Sequence, residues 1–359
     1  MKICILSAVN IRHMSLISLY TERLRAAGIP YDLIYMDKYG EEEATDAAHV
    51  YRFVNVIDQK LPGPVKALKY MRFVPYAKRI LRRNGYDRVI VWNDLAIFMF
   101  ARFLARRFPG RYCLNVRDNM YYDKKIFRAR YRRAFLASAF NTISSDGYRD
   151  FLPPEPTYLQ VHSLNPVVTE KLTRRDGLRP EGEPIRIGFV GSVRYYEDNK
   201  KLLDVFAGDP RFEVHFYGTH ADVLRAYADE KHIANARFHD TFPISETASY
   251  LERIDVMNNL YDARDLNVRK ALSIRLYYCI YGRFPILVAP GTYMETVTRR
   301  LGIGFTVRAI DPAMKEELYA WYRGLDFAAV RENCDDYCRV IAEQNAAFDA
   351  QVKEFLKEA

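Results

Sequence analysis

Residues 185–201, IRIGFVGSVRYYEDNKK, hold the densest set of groups suited to an anion. An apolar run over 185–190 ends in Gly191-Ser192; Arg194 follows, and Lys200 and Lys201 come six and seven residues after it. This order reads as a buried strand, a tight turn and the first turn of a helix. Such a turn offers free backbone N–H groups and the positive end of a helix dipole, both suited to phosphate. Gly191 lets the backbone approach an anion closely, and Arg194 and Lys200 would neutralise a diphosphate. The same residues also suit an ordinary strand–helix turn with solvated cations, so the reading depends on what else the chain supplies.

Four further strand ends bear polar groups. The first strand leads to Ser7, Asn10, Arg12 and His13, and a strand over 112–116 delivers Arg117 and Asp118. The strand 212–217 ends at Tyr217 and is followed by Gly218 and Thr219. The segment 267–285, NVRKALSIRLYYCIYGRFP, puts Asn267, Lys270, Ser273, Arg275 and Tyr277 on the early part of one helix, expected over 268–281 and ended by Gly282. Positive charge and helix N–H groups there would meet phosphate and ribose oxygens. Each has a plainer alternative: His13 a loop histidine, Asp118 a turn acceptor, Arg275 a surface ion pair, Tyr277 core.

Other chemistries lack their motifs. No Asp-x-Asp triplet occurs, so no metal–diphosphate clamp and no metal are expected. The chain has no Gly-x-Ser-x-Gly elbow, no phosphate loop ending in Gly-Lys-Ser/Thr, and no Gly-x-Gly-x-x-Gly in either first turn. Hydride transfer and ATP hydrolysis lose ground accordingly.

The elements that must position these groups alternate. Strands are expected at 2–8, 31–36, 88–92, 112–116 and 141–145, then at 185–190, 212–217, 236–239, 256–260, 285–288 and 304–306, with helices between them, including a long basic one over 65–83. This alternation predicts two α/β halves with parallel sheets, in keeping with a length of 359 residues. The proline-rich stretch 152–166 approaches a linker, and the polar segment 169–183 marks the boundary. The expected domains are 1–168, 169–335 and a C-terminal helix, 336–359, packing back on the first. Five scattered cysteines and an N-terminus that reads as a strand suggest a reducing cytoplasm. Cys334 and Cys338 have no further metal-ligating partner in sequence.

The net charge of +9 is concentrated: residues 61–135 contain 19 Lys and Arg against four acidic residues, interleaved with aromatics. That pattern suits an anionic membrane surface or a polyanionic substrate. Nucleic acid is set aside, because no reader motif accompanies the charge.

The whole pattern resembles GT-B-fold glycosyltransferases of the family-4-like group from bacterial capsule and exopolysaccharide clusters, from KICILSAVNIRHM through ALSIRLYYCIYGRFPILV to PGTYMETV. That group has Gly-x-x-Arg with a Lys six residues on, matched by Gly191, Arg194 and Lys200, and a basic residue, aromatic pair and Gly-x-Pro, which Arg275, Tyr277-Tyr278 and Gly282-Arg283-Phe284-Pro285 resemble with one residue more before the proline. Many relatives place two glutamates where this chain has Arg269 and Tyr277, so its ribose contact departs from theirs.

The resemblance implies two Rossmann-like doubly wound domains facing across a cleft. It implies a nucleotide-sugar in the C-terminal domain, a UDP-sugar being favoured, and a glycan or lipid-linked acceptor in the N-terminal one. The donor is a substrate, and no resident cofactor is expected. Arg194, Lys200 and Arg275, with the backbone of Gly191 and Ser192, would stabilise the departing diphosphate. Tyr217, Gly218 and the Phe242-Pro243 region would hold the base, with Asn267, Lys270, Ser273 and Tyr277 nearby. Asp118 and His13 would orient or deprotonate the acceptor hydroxyl. Retention is implied by the resemblance alone. A nucleotide-sugar epimerase of the same fold and a non-catalytic partner of another transferase are the alternatives. The expected location is the cytoplasm, with peripheral attachment to the inner face of the membrane.

Overall fold

The computed structural model describes residues 1–14, 16–58 and 60–357. The chain divides into two compact units, Met1–His162 together with the C-terminal segment from Gln344, and Ser163–Glu343. The division thus falls six residues before the expected boundary of 168/169. The reason is packing: Val168 and Leu172 are buried with Leu276, Ile280 and Phe284 in the core of the second unit.

The first unit runs β1 (Ile3–Ser7), α1 (Ser18–Ala26), β2 (Tyr31–Asp37), β3 (His49–Val54), α2 (Gly63–Met71), α3 (Phe73–Asn84), β4 (Arg88–Trp92), α4 (Asp94–Arg107), β5 (Tyr112–Val116), α5 (Lys125–Leu136), β6 (Phe140–Ile143) and β7 (Leu159–Gln160). Its seven strands form one parallel sheet in the order β3-β2-β1-β4-β5-β6-β7. Strands β1 and β2 are buried along their whole length, as a sheet covered on both faces requires. Ile5 lies between Leu33 and Ile90 in register.

The edge strands β3 and β7 were not expected. The helix expected over 65–83 is two helices meeting at Arg72, since Pro75 lacks the N–H that would bond the Met71 carbonyl, and its ring crowds that group. The last turns of the C-terminal helix pack on this unit: Phe348 meets Tyr20 edge-on at 5.4 Å, Arg23 pairs with Asp349, and Val352 and Phe355 join the core.

The second unit begins with α6 (Pro166–Thr169) and continues β8 (Ile185–Val190), α7 (Tyr196–Phe206), β9 (Phe212–Tyr217), α8 (Ala221–Glu230), β10 (Ala236–His239), α9 (Thr247–Leu251), β11 (Val256–Asn258), α10 (Leu266–Lys270), α11 (Ile274–Gly282), β12 (Ile286–Val288), α12 (Tyr293–Arg300), β13 (Gly304–Thr306) and α13 (Pro312–Arg323). Helix α14 (Phe327–Phe355) closes the chain. The six strands are again parallel, in the order β10-β9-β8-β11-β12-β13.

The single helix expected over 268–281 is broken. Ala271 and Ser273 are extended, with ψ of 157° and 154°, and Leu272 between them is buried. Among the described residues, no helix is long and apolar enough to cross a membrane.

Strand β8 has one tight point. A Cβ on Gly188 would lie 1.9 Å from Ile254 Cγ2 and 2.8 Å from its Cβ. Gly188→Ala should therefore overpack this core and cost about 1–3 kcal/mol, read as a lower urea midpoint with unchanged m-value; an unchanged midpoint would show that the strand and Ile254 yield freely.

Candidate functional site

In an open parallel sheet, ligands bind outside the carboxyl ends of the strands, where strand order reverses. In the second unit that point lies beside β8, whose neighbours are β9 and β11. Arg275 comes to it from the first turn of α11. Its Nε donates to the Val190 carbonyl at 2.9 Å, Nη1 donates to the Tyr261 hydroxyl, and the guanidinium lies 3.9 Å from the centre of the Phe189 ring. The residue is 7% exposed, and no carboxylate lies within ion-pair distance of it among the described residues. A buried cation without a counter-ion is costly. Burial lowers its pKa from the usual arginine value, and the nearby charge of Arg194 lowers it further.

Two glycine turns make room for this side chain. Gly191 has φ 121°, and a Cβ there would stand 3.0 Å from Arg275 Nη2. Gly218 has φ 132°, and a Cβ there would stand 2.1 Å from the Gly191 carbonyl oxygen. The β8–α7 and β9–α8 turns are thus in backbone contact. Beside them opens a cavity of about 310 Å³, lined by Gly191, Ser192, Gly218 and Arg275 at its polar end and by Phe242, Ile244, Ile274 and Tyr278 on its apolar wall. That is the small end of the ~300–1,000 Å³ range of ligand sites. Phe242 is stacked on Tyr250 at 4.1 Å, which fixes the wall. Thr219 and Thr241 bridge its rim through their hydroxyls at 3.1 Å.

The turn after β8 is braced from below. Asn258 Nδ2 donates to Asn199 Oδ1 at 2.9 Å, and Asn199 Nδ2 donates to the Arg194 carbonyl at 2.7 Å; both asparagines are buried. Tyr195 has φ 56°, and its ring meets Tyr261 edge-on at 5.3 Å. The Arg194 side chain is exposed and has no hydrogen-bond or ion-pair partner among the described residues. Asn199, Asn258, Tyr195 and Tyr261 were not singled out from the sequence; buried amides at strand and helix ends were the available signal.

The structure thus brings Gly191, Ser192, Gly218 and Arg275 to one cavity, with Arg194 close enough for its charge to act on Arg275. Other expected residues lie elsewhere. Lys200 is turned along α7 to Glu197 at 2.9 Å and over the Tyr227 ring, and does not line the cavity. Tyr277 is fully buried, and its neighbour Tyr278 forms the wall instead. Tyr217 lies behind the wall, packed on Tyr250, with its hydroxyl 2.8 Å from His215 Nδ1. Ser273 donates to Asn259 Oδ1 at 2.8 Å, while Asn267 and Lys270 belong to the separate helix α10.

In the first unit His13 lies in a 3-10 turn, Ile11–His13, with Nε2 3.0 Å from the Tyr39 hydroxyl. The loop before it is held by Asn10, whose Nδ2 donates to Asp37 at 2.8 Å and Glu43 at 3.0 Å. Asp118 is exposed at the end of β5. Its backbone N–H and that of Arg117 both donate to Asp94 Oδ2, at 2.9 and 3.0 Å, and the Tyr122 hydroxyl donates to Oδ1 at 2.9 Å. Asp94 opens α4 directly after Asn93, a non-glycine residue at φ 78° whose side chain caps the helix. In the sequence Asp94 reads only as an acidic residue in the first turn of a helix.

No protein-family model matches the sequence, and no curated protein matches it. Solved structures do. Sucrose-phosphate synthase from Thermosynechococcus elongatus is 12% identical, with TM-score 0.66 over 98% of this chain and 99% of that one. A glycosyltransferase from Rickettsia africae is 10% identical, with TM-score 0.64 over 100% and 99%. Anabaena HepE in complex with UDP is 13% identical, with TM-score 0.64 over 99% and 100%. Likeness over the whole length, joined to two parallel-sheet units, gives this chain the GT-B fold of two Rossmann-like domains.

Asp94 makes stability depend on pH. Burial, and then the neighbouring charge of Asp118, push its pKa up to about 8, against the pull of its three hydrogen bonds. Between pH ~4 and about 8 the folded chain holds a proton that the unfolded chain has released, so this group's contribution falls as pH rises. Asp94→Asn should flatten that slope and leave the variant more stable above pH 8, by on the order of a few kcal/mol. Urea midpoints across pH check this; parallel curves for the two proteins would refute it.

Proposed function

We propose that this protein is a glycosyltransferase that moves a sugar from a nucleoside diphosphate sugar, a UDP-sugar being favoured, to a glycan or lipid-linked acceptor of cell-surface polysaccharide synthesis. The observation that supports it most is Arg275, a buried guanidinium without a carboxylate, beside an aromatic-walled cavity at a strand-order reversal. A nucleotide satisfies both ends: the base lies against Phe242 and Tyr278, and the diphosphate meets Arg275, Arg194 and the N–H of Ser192. Among the structural neighbours, HepE was solved with UDP and with UDP and glucose, and another, WaaG, is described as a glycosyltransferase involved in lipopolysaccharide biosynthesis.

As the sugar–oxygen bond breaks, negative charge grows on the diphosphate. Pre-placed cations stabilise that charge more than the ground state, which lowers the barrier. On this reading two arginines supply what a metal supplies elsewhere, and the reaction retains configuration. Asp118 is the acceptor-side carboxylate, and His13 lies on the loop that contacts the acceptor. Lys200 keeps a role only by leaving Glu197. Product analysis with the donor alone separates this reading from an epimerase, which would alter the donor without acceptor; a non-catalytic partner would bind UDP weakly or not at all.

Attachment to an anionic membrane surface is part of the proposal, through α2 in the basic 61–135 region. No residue of α2 is buried. Val65, Leu68 and Met71 are exposed at 42%, 70% and 45%, one stripe at helical spacing, with Lys66 and Lys69 on the same helix. An apolar stripe with flanking lysines suits the headgroup boundary of a bilayer.

Two outcomes are expected. Arg194→Ala should remain folded, bind UDP about 10–100-fold more weakly, as loss of a charge-assisted contact implies, and lose transfer; near-normal turnover would remove the diphosphate role. Replacing Val65, Leu68 and Met71 with Ser should release the protein from phosphatidylglycerol vesicles in a sedimentation assay while leaving UDP binding intact; unchanged sedimentation would show that α2 is not the contact.

A further inference from the structure

A second cavity lies in the first unit, on the outer side of α3 and α4. Its volume is about 670 Å³, and it is lined by Lys78, Arg82, Arg102, Phe103, Arg106 and Arg107. Five of these six residues are cations, and no acidic residue lines the space. None of the five has an ion-pair partner among the described residues. The charges come in two rows, since 78 and 82 on α3 and 102 and 106 on α4 are each four apart and share a helix face. Phe103 stands between the rows, with Lys78 Nζ 5.5 Å and the Arg82 guanidinium 5.4 Å from its ring centre.

Like charges crowd Lys78. Burial first, then the charges of Arg82 and Arg130, lower the Lys78 pKa. Arg130 enters from α5, where its guanidinium lies over Phe98 and its Nε is buried without a hydrogen-bond partner. Elsewhere the chain pairs its arginines freely, as at Arg52–Asp37, Arg186–Asp255, Arg211–Glu316 and Arg283–Asp335. A concave, unpaired, five-cation surface is therefore unlike the rest of the molecule.

We propose that this cavity is a binding site for a ligand bearing several phosphate groups close together. Arginines on two facing rows can each take a phosphate through paired N–H donors. A single phosphate would leave most of the cations uncompensated, whereas two or more, spaced to match the rows, relieve the repulsion within both. The volume admits a group larger than inorganic phosphate, and the Phe103 ring offers an apolar contact for the carbon framework between phosphates. The site lies in the first unit and its argument uses no residue of the nucleotide cavity, so it goes beyond the proposed transferase reading and stands or falls separately.

Calorimetry with inorganic tripolyphosphate and with inorganic phosphate tests the site on the whole chain. Saturable one-to-one binding of tripolyphosphate, much weaker binding of phosphate, and a loss of at least about tenfold in Arg82→Glu/Arg106→Glu are expected, with UDP affinity unchanged. Binding should weaken steeply with added salt. Non-saturating uptake at many equivalents, or equal affinity in the double variant, would overturn the proposal.

The source of the phosphates is read from vesicles. Phosphatidylcholine vesicles carrying a bisphosphorylated lipid are compared with vesicles matched in charge by phosphatidylglycerol. Any contact through α2 is common to both. A preference for the bisphosphorylated lipid that Arg82→Glu/Arg106→Glu abolishes places the phosphates on a lipid; tripolyphosphate binding without that preference places them on a soluble ligand. Should the double variant be poorly folded by circular dichroism, Arg82→Gln/Arg106→Gln, which relieves repulsion without reversing charge, takes its place.

Discussion

A guanidinium held out of water by a backbone carbonyl, a tyrosine hydroxyl and a phenylalanine face governs the second unit. Arg275 reaches the carboxyl end of β8 only because two neighbouring turns lack side chains where it passes. The Gly191 turn must clear its Nη2, and the Gly218 turn must clear the Gly191 carbonyl, so the two turns and the arginine form one close-packed set. None of its partners is negative. The desolvation cost of the charge is offset by hydrogen bonds and a cation–π contact, not by neutralisation. Such a site is poised: an anion entering the adjacent cavity gains the interaction that the protein itself withholds, and Arg194 beside it, unpaired among the described residues, gains at the same time.

What the sequence disclosed about this site, and what it concealed, follows from the reach of local rules. Strands β8 and β9 and their glycine turns were legible because a continuous apolar run ended by glycine is a local pattern. The Tyr277–Tyr278 pair shows the limit. Adjacent residues on a helix point about 100° apart, so placing the ligand face one residue early exchanges wall for core. The break at 271–273 precedes that face, and Leu272 within it is buried, a tertiary contact that no local rule foresees. Lys200 is a related case. Its spacing from Arg194 suited a phosphate contact, but Glu197, three residues before it on the same helix, offered a nearer partner.

The first unit was legible in outline for the same reason, and its misses are tertiary. Strand β3 is an edge, without a buried residue and without the continuous apolar run of β1 or β2, so local pattern gives no strand there. Asp94 looked like any acidic residue in the first turn of a helix. Its special character comes from β5, whose end lays two backbone N–H groups on its carboxylate and sets Asp118 beside it. Residues 23 positions apart in sequence make that cluster, and only the sheet order brings β4 against β5.

The two units set different charged groups at the carboxyl ends of their sheets. At its strand-order reversal the second unit sets the buried Arg275 and the exposed Arg194 at a cavity that no acidic residue lines among the described residues, a setting that favours growing negative charge. The first unit sets the buried Asp94 beside the exposed Asp118, whereas Asp37 and Glu43 around Asn10 are already paired with Arg52 and Arg12. Asp118, an exposed carboxylate next to a buried partner that resists ionising, suits a hydrogen bond from a hydroxyl group. Group transfer asks for this asymmetry. The leaving side must hold negative charge, whereas the attacking side must orient a neutral hydroxyl and draw off its proton. A protein that only bound and released a nucleotide would have use for the first half alone. The exposed Asp118 beside Asp94 is therefore the feature that weighs the proposal toward transfer, and it does so independently of the cations that suggested a nucleotide.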